Sequence, residues 1–417
     1  MLQRVLTYGL CLLLLGYARA ADLERIEKTI TSLSTNGARL AGYEGDRFAA
    51  DLIEKQLRAA GVIQIERETF EVVVPVDKGG TLELVDEGMQ LDLVSLWPNL
   101  VRTNTTGEVG IEGELFYGGS GELHQLNGKP LEGGIVLLEF NSWNNWLNAA
   151  SLGARAILFI APQQTTLFEA QQKWSWTPVD IPRFWLEREQ GLALKAKLGQ
   201  QTLRARVRAQ VDWERRSSSN IWGIVAGTDA QLKDELWAVE TYYDGISVAP
   251  ALTPAAESAV GAAALIELAH HLRQHPPGRS VLLLATGGHF VGQAGLKDFL
   301  NRHARKRLEF AKKIPTADSL DIDLFIALDL SSQSDQLGVW HNTYRSAYRR
   351  FFVPLGRSFM RYAEAAAQDL GRDERRAMVN GISPIKGLGW DSYVGDDIVI
   401  PDGAIAQDAG QMALSIM

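Results

Sequence analysis

Unbroken apolar runs alternate with stretches of helical spacing along this chain, most clearly between Leu236 and Leu296. Leu236-Trp-Ala-Val-Glu-Thr-Tyr-Tyr-Asp-Gly reads as a buried strand that opens into a polar loop. From Ser258 to Gln274 the apolar positions Val260, Ala264, Leu265, Leu268 and Leu272 recur on one helical face, and Ser258 is suited to cap that helix. Ser280-Val-Leu-Leu-Leu-Ala-Thr286 is a second buried strand. Strand, crossover helix, strand is the parallel unit of an α/β sheet. Open sheets of this kind hold ligands at the C-terminal ends of their strands. Asp244 and His289 stand at two such ends, and Glu257 stands in the loop between them.

The same pattern predicts helix, loop, helix and strand from Asp22 to about Thr69, with Gly61 closing the second helix. Between Gly80 and Arg215 short strands and glycine pairs take over, which predicts an inserted β-rich domain. Within it Trp146–Gly153 reads as a helix, and Ala154–Ile160 and Pro182–Leu186 as strands. Its tryptophans at 143, 146, 174, 176 and 185 read as core and rim packing or as a recognition surface. Arg216–Gly227 leads back to the main sheet, Phe299–Lys313 reads as a basic helix, and Asp323–Asp329 is a buried strand ending in a carboxylate. A long amphipathic helix spans Ala347–Leu370, and a glycine-rich loop carries Asp391. The expected layout is residues 21–79 and 216–417 in one mixed, mostly parallel α/β domain, with 80–215 inserted. The chain halts in an apolar run at Met417, which reads as a truncated end.

Composition narrows the classes. A net charge of −8 without any basic block argues against a nucleic-acid partner. Arg4, the apolar run Leu10–Leu15 and Ala18-Arg-Ala20 form an export signal over residues 1–20. That predicts a periplasmic or extracellular protein, with an uncleaved N-terminal anchor as the alternative. The single cysteine, Cys11, lies inside this signal, so the mature chain has no disulfide, thiolate ligand or cysteine nucleophile. No Gly-x-Ser-x-Gly elbow or phosphate-binding glycine loop occurs.

These residues carry a resemblance. The stretch Tyr242-Tyr-Asp244, Glu257 four residues before Gly261, and Thr286-Gly287-Gly288 resembles the core of the co-catalytic zinc aminopeptidases and glutamate-carboxypeptidase-like proteins, metallopeptidase family 28. Arg39-Leu-Ala-Gly-Tyr-Glu-Gly45 is similar to that family's entry segment, and the inserted stretch is similar to its protease-associated domain. The resemblance implies a zinc-exopeptidase-like fold and a two-zinc site, but most of the ligands are replaced. Tyr242 stands where a ligand His is expected, Glu257 where the bridging Asp is expected, and Thr286-Gly287 or Gly287-Gly288 where a Glu-Glu pair is expected. Asp244 and Asp329 remain in place, and no histidine follows His341.

A dizinc site needs about five ligands and a free carboxylate base. By resemblance the metal candidates are Asp244, Glu257 and Asp329, with Tyr242 and Asp391 in the pocket and His289 as the candidate base or ligand. His289 also reads as a loop-bonded residue, or as the cation that balances carboxylates converging on one cleft. His270, His271 and His275 read as surface residues at the end of the central helix. Two functional readings follow. One is a non-hydrolytic homologue that binds a peptide or protein and holds zinc weakly or not at all. The other is an active metallo-aminopeptidase or amide hydrolase with a rearranged site. A membrane-linked assembly is a third expectation, suggested by the abrupt C-terminus.

Overall fold

The computed structural model describes residues 21–174, 179–304, 320–330, 339–340, 358–359, 361 and 401–417. The signal segment, Asp391, Trp176 and nearly all of the helix expected over Ala347–Leu370 lie outside the described residues. In order, the chain forms α1 (Leu23–Thr35), α2 (Glu44–Ala59), β1 (Ile63–Leu84), β2 (Met89–Ser95), β3 (Ile111–Tyr117) and β4 (Ile135–Glu139). Then come α3 (Trp146–Ser151), β5 (Ala156–Ile160), β6 (Arg183–Leu186), α4 (Arg188–Leu198), β7 (Leu203–Val225) and β8 (Leu236–Tyr242). The last group is α5 (Ala259–Gln274), β9 (Ser280–Thr286), α6 (Ala294–Phe299), β10 (Ile322–Leu328), β11 (Val339–Trp340), α7 (Asp402–Asp408) and β12 (Ala413–Ile416). Among the described residues no helix is long and apolar enough to cross a membrane.

Two units divide the chain. The first holds Met1–Val72, Arg216–Gly245 and Pro254–Met417; the second holds Val73–Arg215 and Ile246–Thr253. Both crossings fall inside strands, Val72/Val73 in β1 and Arg215/Arg216 in β7. The expected return strand at Arg216 is therefore the second half of β7. The short loop Ile246–Thr253 was not expected in the second unit; the Val248 carbonyl accepts from the Trp97 N–H at 2.6 Å.

In the first unit β8 lies between parallel neighbours β9 and β10, and β12 runs parallel beside β10. β7 and β11 close the sheet antiparallel to β9 and β12. Strand alternation sends Val281 and Leu283 to one face, where they meet Leu265, Ile266, Ala269 and Leu272 of α5 and Ile53 and Leu57 of α2. Leu282 and Leu284 go to the other face, with Phe299, Phe325 and Ala413. Each fully buried leucine of this kind contributes roughly 1.5–3 kcal/mol.

α5 differs from the single stripe expected. Val260, Ala264 and Leu268 are half-buried, and the deepest positions are Ala262, Leu265, Ile266 and Ala269. The helix packs on β8 and β9 with one side and on α1 and α2 with another, so its buried arc is wide. Gly261 lets it close on the sheet: a Cβ there would lie 2.1 Å from Thr241 Oγ1 and 3.1 Å from the Leu328 carbonyl. Ser258 does not cap the helix as expected. Its hydroxyl lies 3.1 Å from each of the Asp244 and Ala255 carbonyls and accepts from Arg39 Nη2 at 2.9 Å.

The C-terminal apolar run forms a strand. It is β12, whose Leu414 and Ile416 pair with Ile326 and Leu328 of β10. Helix α6 runs over Ala294–Phe299 and a π-helical turn over Leu300–Ala304, while the rest of the expected basic helix, residues 305–313, lies outside the described residues.

In the second unit β3, β4, β5 and β6 are parallel, while β1 with β2, β2 with β6 and β3 with β7 are antiparallel. Leu137, Leu158, Phe184 and Leu194 fill one face of that sheet, and Trp146, Phe140 and Phe159 the other. Trp146 is buried, Trp174 and Trp185 pack against the same core, and Trp143 is exposed. Four of the five tryptophans are described, and three of those are packing residues.

Candidate functional site

The C-terminal ends of β8, β9 and β10 carry the candidate chemistry. On β8 the period of two puts Glu240 and Tyr242 on the same face, and Glu240 pairs in register with Ala327, two residues before Asp329. β9 ends at Thr286, and the loop Gly287–Gln293 then turns back over the strand ends. Gly288 has φ +71° and Gln293 φ +54°, left-handed values that tighten this turn. Gly287 has no room for a side chain, since a Cβ would lie 2.3 Å from Ser218 Oγ.

Asp244 anchors the loop. Its Oδ1 accepts from the His289 N–H at 2.9 Å and its Oδ2 faces the Phe290 N–H at 3.4 Å. The carboxylate is fully buried, and burial raises its pKa to about 6 against the opposing pull of His289 and the two N–H groups.

The His289 ring is held on both sides. Tyr242 stacks on it with centroids 3.8 Å apart and planes at 21°. Its Nδ1 lies 3.1 Å from both Oδ1 and Oδ2 of Asp402, the first residue of α7. Burial alone would lower the ring's pKa. The Asp402 carboxylate, then Asp329 and Asp244, outweigh burial and hold it up at about 9. Gln293 Nε2 donates to Asp402 Oδ1 at 3.2 Å.

Asp329 completes the group. Its Oδ2 accepts from the Asp402 N–H at 3.2 Å, whereas its Oδ1 is shut off from solvent without a hydrogen-bond partner. Burial and the facing Asp402 carboxylate raise its pKa. Beneath it Glu240 is fully buried and accepts from Thr286 Oγ1 at 2.6 Å. Burial, then the Asp402 and Asp329 carboxylates, push the Glu240 pKa well above its ordinary value. Donor atoms of His289, Asp329 and Asp402 lie within 4.8 Å of one another.

Glu257 is placed differently. It is half-buried in the turn before α5, outside the group formed by His289, Asp329 and Asp402. Its charge acts on Arg39, a fully buried guanidinium that donates to the Ala255 carbonyl and to Ser258 Oγ. Sequence reasoning missed Arg39, Glu240 and Asp402. Glu240 was legible as a carboxylate inside an apolar strand, and Asp402 as the acidic residue after Pro401 at the start of a helix.

A two-zinc centre does not fit these residues. Tyr242 offers a phenol whose pKa burial and the neighbouring Asp329 and Asp402 carboxylates raise further, and Gly287 and Gly288 offer no donor. A single ion is compatible with His289, Asp329 and Asp402, because Asp329 Oδ1 stands without a partner and the donor types are those of zinc.

No protein-family model matches the chain, and no curated protein matches it. Solved structures do match it. A zinc aminopeptidase from Bacillus subtilis aligns with a TM-score of 0.55 and 19% identity, over 94% of this chain and 84% of that one. A peptidase precursor of metallopeptidase family 28 from Shewanella amazonensis aligns with a TM-score of 0.52 and 15% identity, over 94% and 86%. At such identities the likeness speaks for the fold: this chain has the zinc-exopeptidase-like fold, a mixed and mostly parallel sheet flanked by helices.

Proposed function

We propose that this protein is a non-hydrolytic relative of the zinc aminopeptidases that binds a peptide or protein ligand. One observation carries the reading: the His289 ring nitrogen sits between both oxygens of Asp402, where it balances the carboxylates itself. Asp244 is spent on loop N–H groups, and Glu240 on Thr286. A cluster that meets its own charge has little need of an ion. On this reading the second unit is a protease-associated-like domain. On this reading residues 1–20 are an export signal and the mature chain works outside the cytoplasm, free or in a membrane-linked assembly.

Elemental analysis of the dialysed mature protein tests this, beside an assay on a panel of aminoacyl-anilides. The expected result is well under one zinc per chain and no turnover that zinc restores. Stoichiometric zinc that resists mild chelation, together with turnover, overturns it.

The partnerless Asp329 Oδ1 favours a second reading, an active hydrolase with one ion. His289, Asp329 and Asp402 would hold that ion, which when bound supplies Lewis-acid polarisation of a carbonyl or of water. His289 would first have to release the proton that Asp402 stabilises, so binding would liberate protons.

A further inference from the structure

In the second unit the parallel strands β3, β4, β5 and β6 end on one edge, at Tyr117, Glu139, Ile160 and Leu186. Open sheets hold ligands at such edges, on the loops that follow the strands. Here the loop after β4, residues 140–145, is joined to the loop after β5, residues 161–166. Asn141 Nδ2 donates to the Gln164 carbonyl at 2.9 Å, and Thr165 Oγ1 donates to Asn141 Oδ1 at 2.8 Å. Each loop brings an aromatic ring to the surface. Trp143 is 44% exposed, and Phe168, in the helical turn that follows the second loop, is 49% exposed. The two rings meet with centroids 4.5 Å apart and planes at 62°.

Trp143 is held out against its conformational preference. Its φ is +51°, a left-handed value that a bulky side chain rarely takes. Both of its backbone groups are fastened. Its N–H donates to Glu169 Oε2 at 2.9 Å, and its carbonyl accepts from Lys173 Nζ, a buried ammonium 3.6 Å from the same Glu169 oxygen. Backbone strain of this kind gathers at ligand sites.

The surroundings indicate the class of ligand. No residue from 140 to 145 or from 161 to 168 carries a charge. Asn144, Gln163 and Gln164 are exposed, and their side chains make no hydrogen bond to another described residue. Side-chain amides both donate and accept, as the hydroxyls of a sugar do. The negative face of an indole ring attracts the polarised C–H groups that line one side of a pyranose. A charged ligand would find no counter-charge in these loops, and an apolar peptide would make no use of the amides. We propose that Trp143 and Phe168, with Asn144, Gln163 and Gln164 around them, form a binding site for a neutral pyranose oligosaccharide. The site lies wholly within the second unit and stands whether or not the first unit binds a peptide.

Calorimetric titration of the whole protein with cellohexaose, and with chitohexaose beside it, tests the site. Wild type should bind at least one of the two saturably. Trp143→Gly removes the ring at a φ that glycine accepts, so the thermal midpoint should hold while affinity falls about tenfold or more. Phe168→Ala should weaken binding in the same direction. Trp213→Ala, at an exposed tryptophan elsewhere in the second unit, should leave it unchanged. Absence of saturable binding of both sugars by wild type overturns the inference. So does affinity that survives in Trp143→Gly, or that falls equally in Trp213→Ala. Binding of N-acetyl-hexaproline amide that is lost in Trp143→Gly, without binding of either sugar, overturns the saccharide assignment in favour of an apolar peptide.

Discussion

His289 Nδ1 lies 3.1 Å from both carboxylate oxygens of Asp402, although 113 residues separate the two in the chain. The pair closes the floor of the candidate site between the β9 loop and the start of α7. His289→Ala leaves the Asp402 carboxylate facing Asp329 without its counter-charge. Stability should fall by roughly 1–3 kcal/mol, read from urea unfolding. Asp402→Asn should cost a similar amount, and the double variant less than the sum, because the two share one interaction. Strict additivity would show that they do not interact.

The same pair makes stability depend on pH. His289 is held at about 9 against an ordinary 6.5, so the folded protein binds that proton more tightly than the unfolded chain. The stabilisation is complete below 6.5 and is lost as pH rises through about 9. Asp244, raised by burial to about 6, acts with the same sign at lower pH. The urea midpoint of wild type should therefore decline across this range, and His289→Gln should flatten the decline above neutrality. A midpoint that rises with pH above neutrality would contradict the ion pair.

Gly261→Ala forces a methyl group toward Thr241 Oγ1, 2.1 Å from its ideal Cβ position. α5 must then lift from β8, or Thr241 must give up its hydrogen bond to the Leu328 carbonyl, now 3.0 Å. The expected loss is about 1–3 kcal/mol. Restoring it with Thr241→Ala in the same chain would tie the cost to this contact.

Arg39→Met removes a buried guanidinium that ties the loop before α5 to the entry segment. It donates to the Ala255 carbonyl and Ser258 Oγ, and its own carbonyl accepts from Gly245 N–H at 2.8 Å. Losing charged hydrogen bonds of this kind costs about 1.5–3 kcal/mol. Hydrogen exchange should rise first in residues 245–258. Unchanged protection there would assign Arg39 no role in holding the loop.

Excision of Val73–Arg215 should leave a folded first unit when a short flexible linker joins Val72 to Arg216. Both residues approach Gly42: a Cβ there would lie 3.5 Å from Val72 Cγ2 and 2.4 Å from Arg216 Cβ. The loop Ile246–Thr253 loses its own unit and exposes Val248 and Ala249, so a polar replacement of both should improve solubility. A cooperative thermal transition of the excised chain is the readout, and aggregation of both versions would refute the division.

Much of the architecture was legible before any coordinates. β8, α5, β9 and β10 follow from apolar runs and helical spacing, because a strand buried on both faces and a crossover helix each leave a local signature. The change in texture near residues 80 and 215 led to an expected insertion, and the two compact units of the structure divide within strands at Val72/Val73 and Arg215/Arg216. A strand that passes from one unit into the next, as β1 and β7 do, shows no break in its alternation.

By itself the sequence determined which side chains stand along β8 and after β9: Tyr242, Gly287 and Gly288 offer neither imidazole nor carboxylate, whatever surrounds them. Only the tertiary structure decided where His289 points. A histidine's state depends on the charges within a few ångströms of its ring, and here these come from Asp402, Asp329 and Asp244 on three different segments. For the same reason Glu257, equally plausible from spacing, lies outside the group formed by His289, Asp329 and Asp402. The apolar end of the chain became β12 because β10 had an open edge beside it, and which strand fills an open edge is settled by pairing between distant segments.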